Sequence, residues 1–253
     1  MIKLPSGVDI NNLIDDIRIL SWQAADILLY YTKLLEDSNY KKNILQNNNE
    51  NDPVTLADLK VNEIIIERIN EKYKNVNWDI LSEENVKNSK TFVTKNDWLW
   101  VLDPLDGTKD FIQGTGNYAM HLALNFKQKP YIGFVLIPEK NQLWISDGRK
   151  TWSEKRDGSK YGPILLKNRS LHEMTLVTSK NHGNEILKNL IRKINFRKVE
   201  IMGSIGCKIA SIVRGDSDIY ICLSLPGKSS PKDWDFAAPE TILKSAGGAI
   251  TNL

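Results

Sequence analysis

Apolar positions along the chain follow two periods, and each period predicts a different kind of element. From Asp9 to Leu35 they return every three or four residues on one face, which predicts a long amphipathic helix. Shorter runs are continuously apolar or alternate with polar residues, as β-strands do. The helical pattern continues over 53–73, 184–194, 204–213 and 234–246, and the strand pattern covers 98–102, 118–126, 131–137, 142–146, 176–178, 198–201 and 219–223.

The order of these elements predicts the fold class. Helices come first, a run of strands follows, and helices then alternate with strands, which indicates an α/β protein with layered helices and sheets. The segment Ser146–Gly162 carries three glycines among charged residues and predicts a break between two subdomains. We therefore expect an N-terminal α+β subdomain over 1–150 and a C-terminal α/β subdomain over 151–253.

A polar, Asn-rich run from Lys41 to Asp52 separates the first two predicted helices. It predicts a mobile loop, which is either a plain connector or a lid, because long loops in compact domains often cover functional sites. Asp52 precedes Pro53, and this pair is typical of an N-cap followed by the first helical position. We therefore expect the second helix to begin at Pro53.

Composition and charge exclude several classes of protein. The chain has 253 residues, 28.8 kDa of mass and a formal net charge of +3. So small a charge, without a basic stripe interleaved with aromatic residues, indicates neither nucleic acid nor an anionic membrane as a partner. The two cysteines, Cys207 and Cys222, form no disulfide framework. With no apolar signal core and no apolar run long enough to span a bilayer, we expect a cytoplasmic protein.

The stretch WLWVLDPLDGTKDFI at 98–112 carries the strongest chemical signal. An apolar run ends in Asp103 and Asp106, and Gly107 and Thr108 follow at once. Mg²⁺ at a phosphate site takes oxygen ligands, so two such ions need a small cluster of Asp and Glu side chains. The glycine lets the backbone approach an anion, and the threonine offers an oxygen for a water. The alternative is an Asp-rich turn between strands.

Three more acidic residues extend this hypothesis. Glu83 follows a short apolar segment, Asp58 lies inside a predicted helix where capping does not explain it, and Asp235 opens the last helix. Each also has a purely structural interpretation. Glu83 would be an exposed surface residue, Asp58 part of a solvated helix face, and Asp235 a cap that interacts with the helix dipole.

The remaining metal-ligating residue types do not indicate a second kind of site. His121, His172 and His182 have no metal-like spacing, so we interpret all three as structural or surface residues and expect no zinc site. Cys207 is interpreted as a buried packing residue.

Five motifs in order resemble one family. DPVTLAD, LSEE, WVLDPLDGTKDFI, GSIGCK and WDFAAPETILKSAGG are similar to the motifs of the inositol monophosphatase-like superfamily of Mg²⁺-dependent, Li⁺-sensitive phosphatases. The resemblance covers about residues 10–250. Within the superfamily, Lys109, Asp110 and Phe111 resemble the 3′(2′),5′-bisphosphate nucleotidases of the CysQ type. Members of the superfamily continue with further strands beyond the last motif, so the resemblance implies a C-terminal subdomain here that is either naturally short or truncated.

The resemblance implies a fold and a set of residue roles. The fold is an αβαβα sandwich of the inositol monophosphatase and fructose-1,6-bisphosphatase type, with the active site between two subdomains. It implies two or three Mg²⁺ ions, with Mn²⁺ as an alternative. The implied metal ligands are Glu83, Asp103, the Leu105 carbonyl, Asp106 and Asp235; the implied catalytic pair is Asp58 and Thr108; and the implied substrate contacts are Gly107, Thr108, Gly203, Ser204 and Lys208.

The implied function is hydrolysis of a small-molecule phosphate ester by a metal-activated water. The CysQ-like residues favour the 3′-phosphate of adenosine 3′,5′-bisphosphate (PAP), giving AMP, with PAPS to APS as a related reaction in sulfur assimilation. Two alternatives stay open: an inositol monophosphatase or related sugar-phosphate phosphatase, and a non-catalytic regulatory protein on the same fold. The protein is expected to be a monomer or a homodimer.

Overall fold

The computed structural model describes residues 2–37, 44–47, 54–88, 93–164, 168–179, 185–223 and 230–251. The helices of this part are α1 (Ile10–Glu36), α2 (Leu56–Lys72), α3 (Glu83–Asn88), α4 (Thr108–Gln113), α5 (Glu185–Ile194), α6 (Ile205–Val213) and α7 (Asp233–Ser245), with short 3₁₀ turns at Pro138–Lys140 and Leu171–Glu173. The strands are β1 (Leu45–Asn47), β2 (Val54–Thr55), β3 (Asp79–Ser82), β4 (Trp98–Asp106), β5 (Ala119–Phe126), β6 (Lys129–Ile137), β7 (Gln142–Ser146), β8 (Thr151–Glu154), β9 (Lys160–Tyr161), β10 (Thr175–Thr178), β11 (Lys198–Ile201) and β12 (Ile219–Tyr220).

Two larger sheets organise the chain. Strands β3 to β9 form a seven-stranded sheet in sequence order, in which β3 and β4 are parallel and every other pair is antiparallel. Strands β11, β10 and β12 form a parallel three-stranded sheet, and α5 connects β10 to β11 as parallel strands require. The short strands β1 and β2 form a separate antiparallel pair.

The layers follow from which face each helix covers. The first core packs α1 and α2 against one face of the seven-stranded sheet, through residues such as Leu13, Ile65 and Trp100. The second core packs α6 and α7 against the opposite face, and Val177 of β10 joins it. The layers are therefore, in order, the helices α1 and α2, the seven-stranded sheet, the helices α6 and α7, and the three-stranded sheet. This order confirms the layered α/β class.

Several predicted boundaries move when the structure is known. The strand expected to end at Leu102 runs on to Asp106, and the strand expected over 219–223 is limited to Ile219–Tyr220. Part of the Asn-rich run, Leu45–Asn47, pairs as a strand rather than forming a loop, and Ile44 just before it is buried. The other residues of that run lie outside the described part of the chain.

The predicted break at Ser146–Gly162 contains two strands, Thr151–Glu154 and Lys160–Tyr161, which extend the seven-stranded sheet. The break is therefore not an unstructured linker, because every residue of Thr151–Glu154 pairs with β7. The division into subdomains 1–150 and 151–253 stays a prediction. No helix in the described part of the chain is long and apolar enough to cross a membrane.

Candidate metal centre and catalytic site

A bulge in β4 brings two carboxylates to the same place. Asp103 pairs with His121 of β5, whereas Asp106 pairs with Ala119, so three steps along β4 match two along β5. Residues three apart in a regular strand point to opposite faces, but one extra residue restores a common face. Pro104 has no N–H to give to the ladder, and it lies within the bulge.

The bulge and α7 together build an acidic cluster. One carboxylate oxygen from each of Asp103, Asp106 and Asp235 lies within 4.8 Å of the others. Asp103 and Asp106 are buried, and Asp235 is half-buried in the first turn of α7. Such a set of oxygen donors fits a hard divalent cation. The structure therefore brings together three of the residues that the sequence predicts as metal ligands.

Glu83 lies beside this cluster, at the start of α3. Its carboxyl group is within hydrogen-bonding reach of Asp103. It is also 3.0 Å from the ammonium group of Lys87, one helical turn further along. Glu83 is therefore not the exposed surface residue of the alternative interpretation, and its carboxylate adjoins the cluster.

Asp58 is the third residue of helix α2 and helps to cap its N-terminus. Helix α2 begins at Leu56 with Thr55 as N-cap, so the predicted start at Asp52 and Pro53 is wrong; those two residues lie outside the described part. The Thr55 N–H and hydroxyl donate to Asp58 Oδ2 at 2.7 and 2.6 Å. This capping box explains why an acid occupies this position. It also leaves Oδ1 of Asp58 facing Thr108.

Thr108 joins Asp58 to the β4 bulge. Its hydroxyl is 3.5 Å from Asp58 Oδ1 and donates to the Leu105 carbonyl at 3.0 Å. The Leu105 N–H in turn donates to Asp103 Oδ1 at 3.0 Å. Gly107 has a φ of 88°, a left-handed conformation that favours glycine, and it turns the chain from β4 into α4. The predicted catalytic pair and the Leu105 carbonyl are thus adjacent.

The predicted substrate contacts in and just before α6 lie at the same site, but their polar atoms are used within the protein. The Ser204 hydroxyl, fully buried, donates to Asp106 Oδ2 at 2.7 Å. The Lys208 ammonium group donates to the Gly203 carbonyl at 2.7 Å and lies 5.0 Å from the ring of Tyr220. These contacts support the wall of the site. Whether the three residues also touch substrate stays a prediction.

Burial and mutual repulsion raise the pKa values of the clustered acids. Burial raises the pKa of Asp58 to about 7, against an ordinary value of 3.8. Burial, together with the charge of Asp106, raises the pKa of Asp235 to about 7 as well. The pKa of Asp103 is raised well above its usual range by burial and then by Glu83, Asp106 and Asp235. Without a cation, the site therefore resists full ionisation.

The metal-free protein should lose stability as pH rises. Acids whose pKa is higher in the folded state than in the unfolded chain bind extra protons when folded. Their contribution to the free energy of unfolding is therefore complete at about pH 3.8 and below, and it is lost as the pH rises through about 7. In EDTA, the melting temperature at pH 8 should lie at least about 3 °C below that at pH 5.5. Added Mg²⁺ should restore it at pH 8 more than at pH 5.5. Equal melting temperatures in EDTA would contradict the raised pKa values.

Sequence reasoning missed two residues of the site. His121 is buried with its Nε2 atom 3.2 Å from Asp106 Oδ2, and only the register of β4 against β5 reveals it. Lys87 pairs with Glu83, which the i to i+4 spacing on a helix would have indicated. His172 is exposed as expected, and His182 lies outside the described residues. Cys207 is fully buried, which confirms its interpretation as a packing residue.

A family model decides the relationship that this geometry indicates. The model of the Inositol monophosphatase family matches residues 13–253. The chain belongs to the inositol monophosphatase family. This inositol monophosphatase-family protein is accordingly a metal-dependent phosphatase, with the layered α/β fold of its family. The family depends on Mg²⁺, and the acidic cluster is the group of described residues suited to hold such an ion.

Individual relatives are similar at modest identity. The 3′(2′),5′-bisphosphate nucleotidase CysQ of Buchnera aphidicola is 31% identical over 201 residues, 79% of this chain and 71% of the relative. The Thermotoga maritima IMPase superimposes with a TM-score of 0.70 at 22% identity, covering 96% of this chain and 85% of that one. The staphylococcal SaIMPase-II with bound 2′AMP has a TM-score of 0.68 at 22% identity, covering 93% and 80%. The two structures show the shared fold.

Proposed function

We propose that this chain removes the 3′-phosphate of adenosine 3′,5′-bisphosphate, using Mg²⁺ held by the acidic cluster. The observation that carries the proposal is the convergence of Asp103, Asp106 and Asp235 within 4.8 Å, with Asp58 and Thr108 next to them. The substrate follows from the similarity to CysQ and from the CysQ-like residues Lys109 to Phe111. PAPS is the related substrate of the same proposal.

The donor set fits the cation that the family uses. Every group at the cluster offers oxygen, and Mg²⁺ prefers carboxylate oxygens and waters over nitrogen or sulfur. Burial and then the neighbouring carboxylates raise the pKa values of Asp103 and Asp235, so a positive charge at the cluster would favour their ionised forms. A divalent cation supplies that charge. We propose Glu83, Asp103, the Leu105 carbonyl, Asp106 and Asp235 as its ligands.

The cation supplies Lewis-acid chemistry, polarising the phosphate and the attacking water and stabilising the leaving oxygen. The chain's own residues supply positioning and proton transfer. Thr55 fixes one oxygen of Asp58, so the other faces the Thr108 hydroxyl. A carboxylate with a pKa of about 7 is matched to accept a proton near neutral pH. We propose that Asp58, with Thr108, orients and deprotonates the water.

The walls of the site define where the substrate lies. We propose that backbone N–H groups of Gly107 and Thr108 contact the phosphate, because the left-handed turn at Gly107 lets an anion approach the backbone. Gly203 begins the opposite wall, where a Cβ would lie only 1.9 Å from Asp110 Oδ2. The rest of the substrate would lie along Gly203, Ser204 and Lys208.

The test is release of phosphate from adenosine 3′,5′-bisphosphate and from inositol 1-phosphate, measured side by side with Mg²⁺ and then with added Li⁺. The proposal expects a strong preference for the nucleotide, suppressed by Li⁺. Preference for inositol 1-phosphate would overturn the substrate assignment while leaving the phosphatase chemistry intact. If a folded sample that binds Mn²⁺ releases phosphate from neither compound, that result would contradict both the substrate assignment and the phosphatase chemistry.

An inositol or sugar phosphate is the second candidate substrate. It is favoured by the similarity of the fold to proteins that carry the IMPase name. The bound 2′AMP of SaIMPase-II shows that a protein of this fold also accepts a nucleotide phosphate. The paired assay therefore separates the two candidates better than structural similarity does.

A further inference from the structure

A buried histidine stands between the elements that hold the acidic cluster, and the proposed chemistry gives it no part. His121 lies on β5 directly opposite Asp103 of β4, and its side chain is fully buried. Its Nε2 atom is 3.2 Å from Asp106 Oδ2. Buried polar groups in folded proteins almost always have partners, so a ring placed this deeply needs a physical explanation.

The ring also contacts α6 and the start of α7. Gly206 of α6 packs so closely against it that a Cβ at position 206 would be 2.2 Å from His121 Nε2. The backbone of Trp234 and Asp235, at the start of α7, also faces the ring. The strand that carries Asp106, the helix that follows Ser204 and the helix that carries Asp235 therefore meet at one imidazole.

Asp106 is held through one of its two oxygens. Its Oδ2 accepts from the Ser204 hydroxyl at 2.7 Å and from the Gly206 N–H at 3.2 Å, and the imidazole of His121 adjoins the same oxygen. Neither ring nitrogen has a hydrogen bond of good geometry to the described residues. All three of these contacts reach Oδ2, so none of them occupies Oδ1.

We propose that His121 is a positioning residue for the cation site, which fixes the Asp106 carboxylate and its spacing from Asp235 before a cation binds. The inference rests on the proposed role of the cluster as a cation site. A residue that hydrogen-bonds to a metal ligand without contacting the metal raises metal affinity, because it limits the orientations of that ligand. Loss of such a residue typically weakens metal binding by about 10–100-fold. His121 acts here through Asp106 and does not itself contact the substrate.

The test measures Mn²⁺ binding to the folded protein, by electron paramagnetic resonance or calorimetry at one pH. His121→Leu removes the polar edge of the ring, and His121→Gln keeps an amide N–H. We expect binding to His121→Leu to be about tenfold weaker than to wild type, and binding to His121→Gln to stay within about threefold. Asn125→Leu is the matched control, because Asn125 is a buried polar residue of the same strand, and it should bind as wild type does.

A second measurement uses the unchanged chain. With ¹⁵N-labelled histidine, addition of Mg²⁺ should shift the ring nitrogen resonances of His121, which are assigned by their loss in His121→Gln. The shifts also report which ring nitrogen carries the proton. A ring that holds Asp106 carries it on Nε2, whereas a proton on Nδ1 would contradict the positioning role. Should His121→Leu fail to fold, the glutamine variant and this spectrum decide.

Each outcome bears on a different claim. Wild-type protein that binds no Mn²⁺ would refute the proposed cation site. Tight wild-type binding that His121→Leu matches, or a ring proton on Nδ1, would overturn the positioning role alone.

Discussion

Replacing Asp106 with asparagine should reduce phosphate release by about 10³-fold or more, while the protein stays folded. The substitution removes a charge from the cluster, yet the amide oxygen can still accept from the Ser204 hydroxyl and the Gly206 N–H. The loss should therefore come from weaker cation binding rather than from unfolding. Phosphate release from the wild type's preferred substrate, at a fixed Mg²⁺ concentration just sufficient to saturate the wild type, is the measurement.

The same variant separates an enzyme from a regulatory binding protein. Asp97→Asn is its matched control, since the Asp97 side chain is 64% exposed and should affect neither activity nor stability. A non-catalytic protein would show no activity to lose, and its affinity for a partner would hardly change on Asp106→Asn. Full activity in Asp106→Asn would refute the cluster as the site of chemistry.

Replacing Asp58 with asparagine should lower phosphate release by about 10²–10⁴-fold while leaving Mn²⁺ affinity close to that of wild type. Asp58 faces Thr108 and is proposed to take a proton from the water, whereas the cation ligands are other residues. An asparagine keeps the shape of the side chain but cannot accept that proton. Activity assays with a parallel Mn²⁺ titration therefore distinguish this variant from Asp106→Asn.

Thermal melts in EDTA provide an independent check on Asp58. Its raised pKa of about 7 contributes to the loss of stability between about pH 4 and pH 7, so Asp58→Asn should reduce that loss. Asp15→Asn is a suitable control because Asp15 is an exposed residue of α1. Wild-type activity in Asp58→Asn would show that another group accepts the proton.

Local pattern was sufficient for most elements of the fold. The period of apolar residues predicted α1 to within one residue at each end, because a 27-residue amphipathic helix repeats its signal many times. It failed where elements are short: Leu45–Asn47 pairs within a polar run, and the strand predicted over 219–223 pairs only at Ile219–Tyr220. Pairing across strands, rather than the sequence of one strand, defines such elements.

The chemical character of the site could also be predicted from the sequence. Asp103, Asp106, Gly107 and Thr108 are consecutive enough for their spacing alone to indicate an acidic phosphate site. The motif order indicated the family, which the match over residues 13–253 establishes. Asp58 was identified as unusual, but its capping role was missed because Thr55, not Asp52, is the N-cap of the helix.

By itself, the sequence determined the longer elements and which oxygen-bearing residues are available, since both depend on near neighbours along the chain. Only the tertiary structure decided which of them meet. The β4 bulge turns Asp103 and Asp106 to one side, and packing of α7 on the seven-stranded sheet brings Asp235 to them. His121 enters the site through the register of β5 against β4. Strand register and helix packing join residues far apart in sequence, so no local pattern encodes them.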